Sequence, residues 1–276
     1  MKELESVIFD WAGTTIDFGC IAPLAAFKKF FLSKGVDIKD EDVRRFMGLK
    51  KIDQLNSLFN LQYVRDEWRD NNGKYPDDSD IRNGYESLEG YILNSLTEFA
   101  EPITGVIETV DILKKLGVKI GSTTGYTKKM MDILAPIAES KGYCPDSLVC
   151  SDEVIEGRPF PYMCYENAKK LKLSSLCKSV KVGDTISDIR EGLQAGMWSV
   201  GVIYGGNEFG ISKEEMDNMD PFERHQKAKN IRFKMYEAGA HAVIYSITEL
   251  PLLCELIDWN ICKGSHPKRI SNLNDF

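Results

Sequence analysis

The sequence predicts an α/β protein with a Rossmann-like parallel sheet core and an inserted α-helical cap domain. Beyond residue 100, short apolar runs alternate with amphipathic helical segments, which is typical of a parallel sheet covered by helices. Residues 20–100 contain helical patterns and no convincing strand, although an apolar run, Ser6–Phe9, precedes them. We therefore expect residues 1–19 and 101–276 to form the core and residues 20–100 to form the cap.

The first predicted strand ends at a carboxylate. Val7–Phe9 is apolar, and Asp10 follows it directly within the segment VIFDWAGTTID. A carboxylate at the end of a buried strand costs free energy unless a ligand or a chemical step uses it. The segment therefore marks Asp10 as a candidate functional residue.

Helical spacing predicts the elements of the cap. Apolar residues recur at this spacing in three sets: Leu24, Phe27 and Phe31; Ile52, Leu55 and Phe59; and Ile81, Tyr85, Leu88, Ile92, Leu96 and Phe99. Gly35 ends the first helix, and the polar stretch Arg69–Asp78 is predicted to be a loop before the last one. Pro102 and Gly105 mark the return to the sheet, so we expect this block to cover the sheet edge.

The remaining strands are predicted in the second part of the chain. They are Val118–Gly125, Ser147–Ser151, Ser179–Thr185, Trp198–Ile203 and His241–Ser246, with helices at Val106–Leu116, Met130–Glu139 and Tyr162–Leu171. Ligands of parallel sheets bind at the carboxyl ends of the strands. Asp10, Thr124 and Asp184 all fall at such ends, which predicts a site at that edge.

Composition argues against several functions. The formal net charge of −7 does not favour general nucleic-acid binding. No run reaches the roughly 18 apolar residues of a membrane helix, and the N-terminus lacks a signal-peptide pattern. The 7 cysteines contain no CxxC and the 3 histidines stand far apart, which does not favour a zinc site and suits a reducing compartment. We expect a cytoplasmic protein that binds neither nucleic acid nor membranes.

Four segments, taken in chain order, resemble the haloacid dehalogenase superfamily of phosphoryl-transfer enzymes. They are DWAGT at Asp10–Thr14, STTG with Thr124, EGRPFP with Arg158, and GDTISD at Gly183–Asp188. The resemblance covers the whole chain. It implies a nucleophilic carboxylate at Asp10, and a Mg²⁺ ion held by Asp10, the main-chain carbonyl of Ala12 and Asp184.

The same resemblance assigns roles to the other polar residues at the strand ends. It implies that Thr124 and Gly125 bind phosphoryl oxygens. It also implies that Arg158 or a nearby lysine holds the group being transferred, and that Asp188 orients the ligands of the metal. A carboxylate that attacks a phosphoryl dianion forms an acyl phosphate and needs compensating positive charge, which explains this set.

Ala12 stands where ordinary phosphatases of the superfamily have a second carboxyl group, which protonates the departing alcohol. Only the main-chain carbonyl is needed as a metal ligand, so the side chain at this position is free to vary. The site is either inactive or acts on a leaving group that is not an alcohol. The presence of Asp10, Asp184 and Asp188 favours the second interpretation.

Longer segments closely resemble the phosphonatase family, the phosphonoacetaldehyde hydrolases: DWAGTTIDFGC, MGLKKID, GSTTGYT, GRPFPYMCY and AGMWSVGVI. This resemblance implies that Lys51 of the cap forms a Schiff base with the substrate aldehyde. The protonated imine then accepts the electrons of the breaking carbon–phosphorus bond, in place of the acid absent at Ala12. The resemblance further implies that Cys20, Met47 and Tyr126 line the site, and that the protein is a homodimer through its cap.

One residue departs from the family pattern. The family has a histidine three residues after the lysine, whereas this chain has Gln54. Lys51 and Gln54 still share a helix face, but an amide cannot exchange a proton near neutral pH. Lys51 must be neutral to attack an aldehyde, so we expect burial and nearby positive charge to lower its pKa.

Three functions remain open from the sequence. The leading hypothesis is hydrolysis of phosphonoacetaldehyde to acetaldehyde and phosphate, using Mg²⁺, Asp10 and Lys51. The second is a superfamily phosphatase or phosphotransferase that acts on a small phosphate ester through Asp10, with Lys51 as a charge clamp. The third is a protein that binds a phosphorylated metabolite without turnover.

Overall fold

A sheet of six parallel strands organises residues 1–270, which are the residues that the computed structural model describes. The strands are β1 (Ser6–Phe9), β2 (Lys119–Thr124), β3 (Ser147–Cys150), β4 (Ser179–Gly183), β5 (Trp198–Val202) and β6 (Ala242–Ile244). Their order is β3-β2-β1-β4-β5-β6, and every neighbouring pair is parallel. The predicted fold class is confirmed, while residues 271–276 of the predicted core segment lie outside the described range.

The position of β1 in the middle of the sheet explains where the site forms. β1 pairs with β2 on one side and with β4 on the other. Thr124 is the last residue of β2, and Asp10 and Asp184 directly follow β1 and β4. Since parallel strands end at the same edge, these residues come from three adjacent strands.

Helices surround the sheet and fill the insertion between β1 and β2. The insertion contains α1 (Ile21–Leu32), α2 (Asp40–Arg45), α3 (Lys51–Phe59), α4 (Gln62–Asn72) and α5 (Asp78–Ser95). The later helices are α6 (Val106–Lys115), α7 (Lys128–Ser140), α8 (Tyr162–Leu171), α9 (Ile186–Gln194), α10 (Lys213–Asn218), α11 (Pro221–Glu237) and α12 (Leu250–Cys262). Within the described residues, none of these helices has the length and apolar character needed to cross a bilayer.

Aromatic packing holds the inserted helices, which we call the cap, together. The rings of Phe31 and Phe59 lie 5.2 Å apart, and those of Phe59 and Trp68 lie 5.0 Å apart. Gly84 of α5 faces Phe30, and a Cβ at that glycine would lie 2.8 Å from Phe30 Cζ. The glycine therefore lets α5 pack closely on α1, and the cap has its own apolar core.

The loop predicted at Arg69–Asp78 is wrong in its first half. Helix α4 continues to Asn72 and ends at Gly73, whose φ of 78° places it in the left-handed region. Val64 and Trp68 are buried in the cap. Packing of this face outweighs the low helix propensity of the polar residues, so a pattern of polar letters was misleading here.

The long helix predicted through Phe99 ends earlier, at Ser95. Residues 96–99 form turns instead. The chain has to turn there because it returns to the core beside the segment on which it left: Asp17 N donates to Glu101 O at 3.3 Å, and Ile103 N donates to Thr15 O at 2.9 Å. The two crossing segments therefore run side by side and hold the cap over the site edge of the sheet.

Candidate active site

One cavity between the core and the cap brings most of the predicted site residues together. It is lined by Asp10, Ala12, Cys20, Met47, Lys51, Thr124, Gly125, Tyr126 and Arg158, with Pro23, Gly48 and Thr185 in addition. Gln54, Asp184 and Asp188 do not line it, but each contacts a lining residue. The predicted residues therefore form a single site at the carboxyl ends of β1, β2 and β4.

Three carboxylates cluster at the core side of this cavity. Asp10, Asp184 and Asp188 each offer an oxygen within 4.8 Å of the others. Asp184 accepts a hydrogen bond from Thr14 Oγ1 at 2.9 Å. Burial, followed by the charges of Asp10 and Asp188, raises the pKa of Asp184 well above its ordinary value. A bound cation would relieve this repulsion, so the cluster is a candidate metal site.

The turn after β1 is shaped to admit Asp184. Thr15 N and Ile16 N both donate to Trp11 O, which closes a tight turn. Gly13 within it has a φ of 84°, and a Cβ there would lie 2.3 Å from Asp184 Oδ2. Only glycine combines that backbone conformation with such close approach. The AGT part of the motif thus allows the carboxylate of one strand to reach the turn after another.

Ala12 contributes its main chain to the same place. Cys20 Sγ donates to Ala12 O at 3.0 Å and also lies 3.5 Å from Asp184 Oδ2. A single thiol that reaches both atoms shows that this carbonyl and this carboxylate face a common point. Burial raises the pKa of Cys20 well above its ordinary value, so the side chain is a neutral thiol.

Arg158 connects the carboxylates in a buried network. Its guanidinium lies 2.6 Å from Asp10 Oδ1, 3.2 Å from Asp188 Oδ1 and 2.9 Å from Glu191 Oε2. Lys181 Nζ lies 2.7 Å from Asp188 Oδ1 and 3.4 Å from Glu191 Oε2. All of these side chains are buried. Because only Arg158 of the two cations lines the cavity, it is the one placed to meet a ligand there.

Sequence reasoning missed Lys181 and Glu191. The available signal was a lysine inside the apolar run SVKVG of β4, where a charged residue is buried unless it lies at an edge. The network also affects Asp188. Burial by itself raises the pKa of this carboxyl, but Arg158 and Lys181 outweigh that effect and hold the pKa below its ordinary value. Asp188 is therefore an ionised partner of the two cations.

Lys51 faces the core from the first residue of α3. It is 5% exposed, and its Nζ donates to Gln54 Oε1 at 3.1 Å. Gln54 Nε2 in turn donates to Val43 O at 3.0 Å, which fixes the amide so that its oxygen faces the lysine. The ring of Tyr126 lies 5.3 Å from Lys51 Nζ, and Met47 Sδ lies 4.0 Å from it.

The surroundings of Lys51 favour its neutral form. Burial lowers the pKa of Lys51 to about 8, although Cys20, Asp10 and Asp17 act in the opposite direction. Arg158 adds to the lowering. An amine with this pKa is available as a nucleophile near neutral pH, as the sequence hypothesis requires.

Two glycines let the cap segment before Lys51 rest on the core. A Cβ at Gly125 would lie 2.6 Å from Leu49 O, and a Cβ at Gly48 would lie 2.6 Å from Thr185 Oγ1. Gly125 was predicted to bind phosphoryl oxygens; the structure adds that its lack of a side chain admits the cap. This close approach brings Lys51 into the cavity that Asp10 lines.

Comparison with known proteins defines the class. A family model described as haloacid dehalogenase-like hydrolase matches residues 4–196. The fold and the strand-end carboxylates agree with it, and the chain belongs to the haloacid dehalogenase-like hydrolases.

Individual relatives narrow the class to one family. The chain is 47% identical over 256 residues to the curated phosphonoacetaldehyde hydrolase of Bacillus cytotoxicus, covering 93% of this chain and 97% of that protein. It is also 47% identical to a bifunctional phosphonoacetaldehyde hydrolase/aminoethylphosphonate transaminase of Clostridioides difficile, over 90% of this chain and 39% of that protein. A crystal structure of a phosphonoacetaldehyde hydrolase-like protein from Oleispira antarctica matches with a TM-score of 0.94 at 32% identity and covers 96% of each chain. Within its class, the chain belongs to the phosphonoacetaldehyde hydrolase family.

Proposed function

We propose that this protein hydrolyses the carbon–phosphorus bond of phosphonoacetaldehyde to give acetaldehyde and phosphate. One observation carries the proposal: Lys51, with its pKa lowered to about 8, and the carboxylate of Asp10 line the same cavity from opposite domains. The substrate has an aldehyde for the amine and a phosphoryl group for the carboxylate. The names of the relatives agree with this substrate.

The core side of the cavity fits a divalent cation. Its buried carboxylates outnumber its buried cations, with Asp10, Asp184, Asp188 and Glu191 against Arg158 and Lys181. The excess negative charge and the all-oxygen donors suit Mg²⁺, which we place on Asp10, Asp184 and the carbonyl of Ala12. When bound, the ion supplies positive charge beside the phosphoryl oxygens. Asp188 orients this set through its bonds to Arg158 and Lys181.

The first step uses the cap. The neutral amine of Lys51 adds to the aldehyde carbon, and loss of water leaves a protonated imine. Gln54 accepts one N–H of the lysine, which directs the rest of the amine toward the cavity. The amide does not exchange a proton, so water has to carry the protons that this step moves.

The second step uses the core. Asp10 attacks phosphorus, the carbon–phosphorus bond breaks, and its electron pair moves into the imine to form an enamine. Thr124, Gly125 and Arg158 bind the phosphoryl oxygens during the transfer. The imine takes the electrons, so no acid is needed at Ala12. Water then hydrolyses the aspartyl phosphate and the protonated enamine, which releases phosphate and acetaldehyde.

We also propose that the protein is a cytoplasmic homodimer that associates through its cap. Family resemblance supports this assembly, and the cap presents an exposed apolar residue, Leu32, at the end of α1. Sedimentation of the wild type and of a Leu32→Glu variant tests it. A monomeric wild type contradicts the proposal.

The decisive experiment is incubation with phosphonoacetaldehyde and Mg²⁺, followed by assays of acetaldehyde and phosphate. Formation of both in equal amounts supports the proposal. Turnover of small phosphate esters without acetaldehyde indicates instead a phosphatase or phosphotransferase in which Lys51 is a charge clamp. Tight binding without any turnover indicates a protein that binds a phosphorylated metabolite.

A further inference from the structure

The loop Gly205–Gly210, which follows β5, lies between the carboxylate cluster and the cap. On the core side, the main-chain N of Asn207 donates to Asp184 Oδ2 at 2.7 Å. A Cβ at Gly206 would lie 2.7 Å from Asp184 Cβ, so the loop packs directly on that side chain. Gly19, in the segment that leads into the cap, donates from its N to Gly205 O at 2.7 Å. The loop thus supports Asp184 and also contacts the chain entering the cap.

The side chain of Asn207 makes reciprocal bonds with Arg44 of α2. Asn207 Nδ2 donates to Arg44 O at 2.9 Å, and Arg44 Nη1 donates to Asn207 Oδ1 at 3.3 Å. The same Nη1 donates to Gly19 O at 2.8 Å. Asn207 is 2% exposed, so these bonds are shielded from solvent. An amide is suited to this position because it offers a donor and an acceptor together.

The loop is also shaped for the guanidinium. Gly210 has a φ of 67°, and a Cβ there would lie 3.0 Å from Arg44 Nε. Arg44 therefore packs against bare backbone. Its neighbour Arg45 is exposed, and its guanidinium lies over the ring of Phe46. Two adjacent arginines of one short helix thus differ: one enters the core and the other stays outside.

We propose that Asn207 is a positioning residue that couples closure of the cap to the orientation of Asp184. Its side chain holds α2 of the cap while its main chain holds the carboxylate, so one residue belongs to both contacts. If α2 moves away, the buried amide of Asn207 loses both partners, and the loop that supports Asp184 loses its contact with the cap. The metal-ligand role of Asp184 is the part of this inference that rests on the proposed function.

The cap contact is tested without substrate. The rate at which trinitrobenzenesulfonate labels Lys51 is measured by mass spectrometry and normalised to exposed Lys34. Asn207→Ala leaves the main-chain bond to Asp184 possible but removes both bonds to Arg44, so we expect Lys51 to be labelled about fivefold faster or more. Arg45→Ala is the matched control and is expected to label at the wild-type rate. Wild-type labelling in Asn207→Ala overturns the proposal.

The coupling to Asp184 is tested with Mg²⁺ alone. We expect Asn207→Ala to need about fivefold more Mg²⁺ than wild type for half of the metal-induced rise in Tm. Faster labelling with an unchanged Mg²⁺ requirement would show a cap contact without coupling and overturn the proposal. Arg44→Met, which removes only the guanidinium bonds, replaces Asn207→Ala if that variant does not fold.

Failure of this inference differs from failure of the proposed function. Unchanged labelling and Mg²⁺ requirement in a variant that still releases acetaldehyde overturn only the coupling. In the opposite case, the expected labelling and Mg²⁺ shifts in a protein that releases no acetaldehyde support the coupling and contradict the proposed reaction.

Discussion

The core wall and the cap wall of the cavity treat buried charge in opposite ways. On the core wall, Asp10 and Asp188 share the guanidinium of Arg158 at 2.6 and 3.2 Å. On the cap wall, Lys51 has no carboxylate within ion-pair distance among the described residues, and a neutral amide, Gln54, accepts its hydrogen bond. Pairing keeps charge on the core wall, whereas burial without a close counter-ion favours loss of charge at Lys51. The first wall suits a phosphoryl group and the second suits an aldehyde.

Two adjacent lysines show the same contrast within the cap. Lys50 Nζ lies outside the cavity and donates to the main-chain oxygens of Val154 and Ile155, at 3.4 and 3.2 Å. Lys51, one residue later, lies inside. The start of α3 therefore places one amine on the rim, where it contacts the core, and the next in the site. Lys50 is a matched control for Lys51.

The largest expected effect comes from the core wall. Asp10→Ala should lower the rate of acetaldehyde release by about 10⁴-fold or more, because it removes both the nucleophile and a metal ligand. Thermal unfolding should show that the fold is kept. Substantial residual turnover in protein purified free of host enzyme would remove Asp10 from its role.

The next effect comes from the cap wall. Borohydride added together with the aldehyde substrate should inactivate the wild type and leave a covalent mass increase on Lys51, since it reduces the imine to an amine. Lys51→Arg should show no label and should lose about 10³-fold or more in turnover, because a guanidinium stays charged. Lys50→Arg should be labelled like the wild type. A label on Lys50 instead would contradict the assignment.

A pH series tests whether the cap wall lowers the pKa of Lys51 as described. Only the neutral amine forms the imine, so the trapping rate should rise with pH and level off above about 8, the lowered pKa. Below that value the rate should fall about tenfold per pH unit, since a lysine with an ordinary pKa of ~10.4 is neutral in only about one molecule in 2,500 at pH 7. A rate that keeps rising to pH 10 would show that burial does not have this effect.

A smaller effect is expected at Gln54. Gln54→Ala removes the hydrogen bond to Lys51 but no titrating group, so turnover should fall roughly 5- to 30-fold, for a hydrogen bond worth ~1–2 kcal/mol. Gln54→His should retain activity and add a limb near pH 6.5 to the pH–rate profile. Turnover measured against pH for the three proteins decides. Unchanged turnover in Gln54→Ala would make this side chain a spectator.

The smallest effect is expected at the rim. Lys50→Ala removes two long hydrogen bonds to main-chain oxygens, and turnover should change by about twofold or less, as for most surface substitutions. The same acetaldehyde assay measures it. A loss comparable to that of Lys51→Arg would mean that the two lysines share one function, and the contrast between rim and site would fail.

Local patterns were enough to predict much of the core. Each predicted strand is confirmed, with observed bounds at or inside the predicted ones. Strand-end positions then placed Asp10, Thr124 and Asp184 at one edge. Local patterns were less reliable in the cap, where α4 runs four residues into the predicted loop because Trp68 is buried by helices distant in sequence.

The sequence by itself determined the parallel sheet, its strand-end carboxylates and the lysine in the cap, because periodicity and motif spacing depend on residues close along the chain. Only the tertiary structure decided the partners of those residues. Lys181 pairs with Glu191 inside the core, and Asn207 contacts Arg44 across 163 positions of sequence. The lowered pKa of Lys51 likewise arises from burial between the two domains. Burial and pairing depend on which distant segments meet, and no short stretch of sequence contains that information.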